Sequence, residues 1–327
     1  MKKSSTPLIN HISDFLDYLE IEKGLSSKTQ ENYSRYLKRF TNWLKSKKKD
    51  ALLPHQITPE LVWDYRVYLS RQTNNEHTDS PLKKSTQNYY LIALRAFLNF
   101  FADRDIISLP SEKIKLAKQA KEKAVHFLKL EQLEKLITAP DVSEIAGLRD
   151  RAILETLFST GMRVSELVKL DCEQFKLKNN SKFLELNITG KGNKPRTIYF
   201  SERCLGWIKR YIEKRQDLDK ALFINYRPGA EKAESRRLTT RSIENIVKKY
   251  AKLSGVSLAT SPHTLRHSYA TDLLTNGVDL RLVQEFLGHR NIQTTQIYTH
   301  VTNKRLKDVY LKHHGLSNQN PKFKTGL

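Results

Sequence analysis

Phe183-Leu184-Glu185-Leu186-Asn187-Ile188-Thr189-Gly190-Lys191-Gly192-Asn193-Lys194-Pro195-Arg196-Thr197-Ile198-Tyr199-Phe200 holds two runs that alternate apolar with polar residues around a basic, Gly-rich centre. Alternation puts successive side chains on opposite faces, so Phe183–Ile188 and Arg196–Phe200 read as paired strands. Thr189–Pro195 then forms the hairpin tip, with Lys191 on it. The sequence on both sides runs at the helical period instead. The fold class is therefore mainly α, with a small β-hairpin inserted in a mixed α+β second domain.

Ahead of the hairpin, Lys129 to Ala139 and Ser143 to Ser159 have the helical pattern. After it come Ser201 to Ile212, Thr239 to Leu253, Ser261 to Thr275, Asp279 to Leu287 and Asn303 to Lys312. Further upstream, Leu8-Ile9, Ile12, Phe15-Leu16 and Leu19 follow i, i+3, i+4, i+7 spacing, and Gly24 stops that helix. Ser26 or Ser27 caps a second helix with Tyr33, Tyr36-Leu37, Phe40 and Trp43-Leu44 on one face. Thr58-Pro59-Glu60 starts a third, with Pro59 in the first turn where its missing N–H costs little. Residues 73–80 are polar and aperiodic and read as a loop. Lys84 to Phe101 makes the fourth helix of an N-terminal bundle. The aromatic stripes recur at helical spacing, which makes them bundle core rather than base-stacking platforms.

These patterns divide the chain into a helical domain at 1–107, a basic linker at 108–127, a second domain at 128–316 and a tail at 317–327. A length of 327 residues suits two domains with separate cores. No apolar run approaches the roughly 18 residues that span a bilayer, and no apolar signal region follows Met1-Lys2-Lys3. Cys172 and Cys204 form neither a disulfide framework nor a metal spacing, which fits a reducing, cytoplasmic setting.

Charge narrows the function. The net charge of +22 marks a protein that meets a polyanion. With no basic amphipathic anchor or lipidation motif, nucleic acid is a better partner than a membrane. Residues 1–120 carry 20 Lys/Arg against 13 Asp/Glu, and residues 121–327 carry 37 against 22. Both parts can therefore face the polyanion, as a clamp would. Arg35, Lys38, Arg39, Lys83, Lys84 and Arg95 are the candidates for phosphate contact in the first domain, although single surface cations are usually just solvated.

The second domain holds the chemistry. Arg163 lies in Thr160-Gly161-Met162-Arg163-Val164-Ser165-Glu166-Leu167, and Lys191 on the hairpin tip. His263 and Arg266 lie in His263-Thr264-Leu265-Arg266-His267, His289 closes Leu287-Gly288-His289, and Tyr298 lies in Gln296-Ile297-Tyr298-Thr299. A phosphodiester repels nucleophiles, and charge grows on its oxygens during attack, so catalysis needs fixed cationic donors and an in-line nucleophile. Arg163 and Arg266 have planar forks that match phosphate oxygens. His263 and His289 can donate or move a proton, Lys191 can protonate a leaving oxygen, and Tyr298 can form a covalent phosphotyrosine. Taken singly, each is an ordinary surface or ion-paired residue, and Glu166 can simply pair with Arg163. His263 and His267 have metal-ligand spacing but no intervening H-E-x-x-H carboxylate and no cysteine, which argues against zinc. Gly190-Lys191-Gly192 lacks the frame of a P-loop.

Taken together and in order, these strings resemble the tyrosine recombinases, the integrase family of site-specific DNA recombinases, and are closest to the Xer chromosome-resolution type. Arg163, Lys191, His263, Arg266, His289 and Tyr298 match the family's catalytic positions, and Glu166 matches the acidic residue that supports the first arginine. The resemblance spans the whole chain: a core-binding domain, a linker and a catalytic domain forming a C-shaped clamp. It implies attack by Tyr298, a 3′-phosphotyrosyl bond, a free 5′-hydroxyl, Lys191 as acid and no metal or other cofactor. It also implies a homotetramer, or a heterotetramer with a related recombinase, on two double-stranded DNA sites. An exchanged C-terminal helix, for which Asn303–Lys312 is the candidate, and an FtsK-type DNA translocase as further partner are implied too. Three alternatives stand beside it: an integrase of a phage or mobile element, a type IB topoisomerase, and a DNA-binding protein without catalysis. The intact Tyr298 and both arginines argue against the last.

Overall fold

The computed structural model describes residues 1–75, 78–118, 126–175, 184–189, 195–230 and 235–288. They divide after Lys123 into two units, and each unit has its own apolar core.

The first unit holds α1 (Ile12–Ile21), α2 (Ser27–Ser46), α3 (Pro59–Arg71) and α4 (Lys84–Asp103), the four expected helices. Thr58 caps α3 by accepting from the Leu61 N–H, and Pro59 occupies the first helical position. The aromatic stripes meet in the middle. Phe15, Phe40, Tyr65, Phe97 and Phe101 are fully buried, and Phe40 meets Tyr65 edge-on at 4.8 Å, a favoured arrangement for ring quadrupoles.

Two segments depart from the sequence reading. Residues expected as a loop contain two short antiparallel strands, β1 (Thr73–Asn75) and β2 (Thr78–Pro81), paired in irregular register. Backbone pairing needs no apolar alternation, so a polar hairpin leaves no periodic trace. The basic segment read as linker from residue 108 begins on the first unit: Leu109 and Ile114 enter its core. Asn88 in α4 closes both of its amide hydrogen bonds on the backbone of Ala117. Sparse apolar residues among lysines suffice to hold an extended chain when one buried side-chain amide satisfies its backbone.

The second unit comprises α5 (Leu130–Thr138), α6 (Ile145–Thr160), α7 (Val164–Leu167), β3 (Leu184–Thr189), β4 (Pro195–Phe200), α8 (Glu202–Lys214), α9 (Thr240–Leu253), α10 (Pro262–Thr275) and α11 (Leu280–Leu287). The strands β3 and β4 pair antiparallel from Leu184↔Phe200 to Thr189↔Pro195, as the alternation predicts. The hairpin tip 190–194 and the expected helix Asn303–Lys312 lie outside the described residues.

Helix α6 is the axis of this unit and is buried on all sides, charged residues included. Each of those charges is paired, as burial requires. The Arg149 fork closes on Asp150 at 2.9 and 2.6 Å, and its third nitrogen reaches the Ile224 carbonyl at 2.8 Å. Arg151 pairs with Glu155 one turn on, at 2.9 Å. The C-terminus of this helix delivers the first of the candidate active-site residues.

Candidate active site

Helix α6 ends at Gly161, whose φ of +57° is a left-handed cap. A Cβ here would strike the Tyr269 ring, so both backbone and packing demand glycine. The turn sets Arg163 in extended conformation just before the short helix α7. Glu166, one turn into α7, reaches back: its Oε2 accepts from the Arg163 backbone N–H at 2.8 Å, and its Oε1 accepts from Nη1 of the same residue at 3.1 Å. A carboxylate at this end of a helix also meets the positive pole of the backbone dipoles. The backbone and the guanidinium of Arg163 are thus oriented by one side chain.

Arg266 arrives from α10, which starts at a Ser261 cap followed by Pro262. It is buried, and its two terminal nitrogens donate to the Gly161 carbonyl at 2.6 Å and the Leu287 carbonyl at 2.5 Å. Nη2 of Arg163 donates to the next carbonyl, that of Gly288, at 3.1 Å. Both arginines therefore close on the C-terminal end of α11. The last carbonyls of a helix have no partner within it and carry the negative pole of its dipole. Two guanidiniums satisfy them and pull the ends of α6, α10 and α11 together. His289 is the next residue of the chain, although its own position lies outside the described residues, as do those of Lys191 and Tyr298.

His263 is exposed on the first turn of α10, one turn before Arg266. His267 lies on the same side, and burial, His263 and Arg266 together push its pKa down to about 4. It is held neutral over most of the working range. Of the seven positions singled out in this domain, the structure brings together Arg163, Glu166 and Arg266, with His263 on the same helix as Arg266.

Sequence reasoning passes over Arg196. It sits in β4 with its guanidinium forked on Glu166, Nη1 to Oε1 at 2.8 Å and Nη2 to Oε2 at 2.6 Å. Glu166 thus accepts from two arginines and a backbone N–H. Burial pushes its pKa up, but the Arg196 fork, the Arg163 N–H and both positive charges outweigh that and hold it below the usual carboxylate range. A signal was available in the sequence. Arg196, Ile198 and Phe200 share one strand face, and Ile198 and Phe200 are core residues. An arginine on an inward face needs a carboxylate partner.

The candidate phosphate contacts of the first unit differ among themselves. Lys38, Lys83 and Lys84 are exposed, the last two at the N-terminal end of α4. Arg35 is exposed, donates to Asn32 at 3.2 Å and lies over the Tyr36 ring. Arg39 is half-buried and donates to the Tyr90 hydroxyl at 3.0 Å and to Gln72 at 3.4 Å, so much of its donor capacity is spent inside the unit. Arg95 is half-buried, close enough to Glu112 to help lower that carboxyl's pKa after the backbone and Ser111 hydrogen bonds. Tyr89 lies off the apolar stripe of α4. It is 55% exposed and stacks in parallel on Tyr36 with ring centres 6.1 Å apart.

A helical bundle, and a helical domain with one inserted hairpin in which Arg163 and Arg266 close on the end of α11, make up the described molecule. The comparisons make this specific. Residues 126–305 match the phage integrase family and residues 12–105 match its N-terminal SAM-like domain, and the chain belongs to this family. It is 37% identical over 310 residues to tyrosine recombinase XerD of Lacticaseibacillus casei, covering 93% of this chain and 98% of the relative. It is 34% identical over 311 residues to tyrosine recombinase XerC of Thermodesulfovibrio yellowstonii, covering 94% and 97%. The fold is shared with XerH recombinase bound to its difH substrate, at a TM-score of 0.70 and 22% identity over 94% of this chain and 98% of that one. The protein is thus an Xer-like site-specific tyrosine recombinase, an enzyme that cleaves and rejoins DNA through a tyrosine intermediate.

Proposed function

We propose that this recombinase resolves chromosome or plasmid dimers at a specific, palindromic double-stranded DNA site, with Tyr298 as nucleophile. The phenolic oxygen bonds to phosphorus, the P–O5′ bond breaks, and Lys191 gives the departing 5′-oxygen its proton while one of His263 and His289 takes the phenolic one. The 5′-hydroxyl of a partner duplex then attacks the 3′-phosphotyrosine, reversing the same changes of bonding and returning Tyr298. The single observation that carries the reading is the arginine pair: Arg163, paired with Glu166, and Arg266 are fixed on the adjacent carbonyls of Gly288 and Leu287, where preorganised donors stabilise growing phosphate charge.

Residues 1–107 serve as core-binding domain, 108–127 as connection and 128–316 as catalytic domain. Four protomers, identical or paired with a related recombinase, assemble on two sites in the cytoplasm, with residues 303–312 as the exchanged helix. An FtsK-type DNA translocase fits as a further partner of such a system. Relatives named XerC and XerD support dimer resolution over service to a mobile element.

A nicked suicide duplex carrying candidate sites tests the assignment. The wild type should form a covalent complex that survives denaturation, with or without chelator, and Tyr298→Phe should form none while binding the site nearly unchanged. Covalent capture by Tyr298→Phe would disprove the nucleophile.

A further inference from the structure

Two arginines meet the carboxylate of Glu166, and they do not share it evenly. On Oε1, Nη1 of Arg196 donates at 2.8 Å and Nη1 of Arg163 at 3.1 Å. On Oε2, Nη2 of Arg196 donates at 2.6 Å and the Arg163 backbone N–H at 2.8 Å. Arg196 thus closes a two-bond fork, the strong geometry for a guanidinium on a carboxylate. Arg163 gives the same carboxylate one longer side-chain bond and sends Nη2 to the Gly288 carbonyl instead.

Exposure follows the same division. The Arg163 side chain is 24% exposed and that of Arg196 9%, so of the two only Arg163 keeps an open face for a phosphate. None of the described residues accepts from the buried Nε of Arg196. A buried donor without an acceptor costs free energy, and an aliphatic residue would fill the space without that cost. Packing alone does not account for an arginine here. Its stem lies against Gly288, where a Cβ would come within 2.7 Å of Arg196 Cδ. Arg196 therefore touches both groups that hold the Arg163 guanidinium, the carboxylate and Gly288.

We propose that Arg196 is a positioning residue for strand cleavage: by occupying both oxygens of Glu166 it keeps that carboxylate from closing a fork of its own on Arg163, and so leaves the Arg163 guanidinium oriented and open to the scissile phosphate. This rests on Arg163 holding a phosphate oxygen, as read above. The physical reason is competition for a buried charge. Glu166 is buried and must be paired. Without Arg196 it turns both oxygens on Arg163 and takes the donors that a phosphate needs. A displacement of about 1 Å at a reacting group costs on the order of 100-fold in rate.

Covalent capture is measured on the ordinary suicide duplex and on the two methylphosphonate diastereomers at the cleavage position, each rate relative to wild type on the same substrate. A methyl group in place of one non-bridging oxygen removes the charge that a guanidinium beside it stabilises. Arg163→Ala should be slow on the phosphodiester and recover on one diastereomer. Arg196→Met keeps the stem against Gly288 and loses the fork. It should be roughly 10- to 100-fold slow on the phosphodiester and recover on that same diastereomer. Adding Glu166→Gln to Arg196→Met should speed cleavage of the phosphodiester severalfold, because the carboxylate that captures Arg163 is gone. A merely structural Arg196 gives a double variant no faster than the single one. That result, or Arg196→Met failing to recover where Arg163→Ala does, overturns the positioning role alone. Arg163→Ala recovering on neither diastereomer overturns the phosphate contact and the positioning role with it. Thermal melts accompany the rates. Arg196→Lys, which keeps a cation beside Glu166 without the fork, takes the place of Arg196→Met if the latter is unfolded at the assay temperature, and unfolding of both assigns the residue to stability and overturns the proposal.

Discussion

Glu166 is the residue on which the described part of the site turns. It receives a backbone N–H and three guanidinium bonds, and its charge offsets two buried or half-buried arginines. Replacing it with glutamine leaves those cations without a counter-charge and turns two N–H donors toward other donors. Breaking a buried pair in this way costs about 3–5 kcal/mol, so Glu166→Gln should lower the melting temperature clearly and slow covalent capture. The pH dependence has a definite sign. The folded carboxyl is held below its ordinary value of 4.5, so its stabilising contribution is complete above that pH and is lost as pH falls through the lower folded value. Melting temperatures measured down from pH 6 should therefore drop more steeply below about pH 4.5 for wild type than for Glu166→Gln. Parallel curves would show that Glu166 does not supply the acid limb. His267 acts in the same direction in a higher window. Its folded pKa of about 4 lies below the ordinary 6.5, so stability falls as pH drops from 6.5 toward 4, and His267→Gln should flatten that slope.

At the scale of elements, two helix ends make the cradle. The C-terminus of α6 hands the chain to Arg163 through the left-handed Gly161, and the C-terminus of α11 offers the carbonyls of Leu287 and Gly288 to the two arginines. Gly161→Ala must place a side chain at positive φ against the Tyr269 ring. A cost of about 1–3 kcal/mol should appear as a lower urea midpoint at unchanged slope. Gly288 has φ +61° and packs on Arg196. Gly288→Ala must push either the end of α11 or the Arg196 stem aside. Covalent capture should fall at least about tenfold, with site binding by gel shift changed far less. An equal fall in both would make the contact a general support of the fold. These ends were only partly legible in sequence. Gly161 and the α7 start show as a helix break, and the motif strings expose Arg163 and Arg266. That Arg163 meets a main-chain carbonyl 125 residues away, and Arg266 two carbonyls 105 and 21 residues away, leaves no local pattern. The strands β1 and β2 escaped for a related reason: their pairing is made by backbone, and periodicity reports side chains.

At the scale of the whole molecule, the excess of cations governs encounter with DNA. Both units are basic, and neutralising duplex phosphates releases condensed counterions, so affinity should fall steeply with salt. A plot of log affinity against log salt for wild type should be linear and steep. Removing an exposed candidate such as Lys84 should reduce the slope by about one, the change expected when a single phosphate goes unneutralised. Arg39→Ala should instead lower stability, since its donors are engaged with Tyr90 and Gln72. An unchanged slope in the Lys84 variant would remove that residue from the interface. No helix among the described residues is long and apolar enough to cross a membrane.

The order and type of residues by themselves determined the helical bundle and the inserted hairpin and exposed Arg163 and Arg266, because periodicity, turn chemistry and side-chain functional groups are local properties of a chain. Only the tertiary structure decided that Arg196 joins Glu166 and that α11 ends against both arginines. It also decided that Arg39 is spent on its own unit while Tyr89 faces solvent. These are outcomes of which distant surfaces meet, and a buried charge takes its role from the partner that folding brings to it.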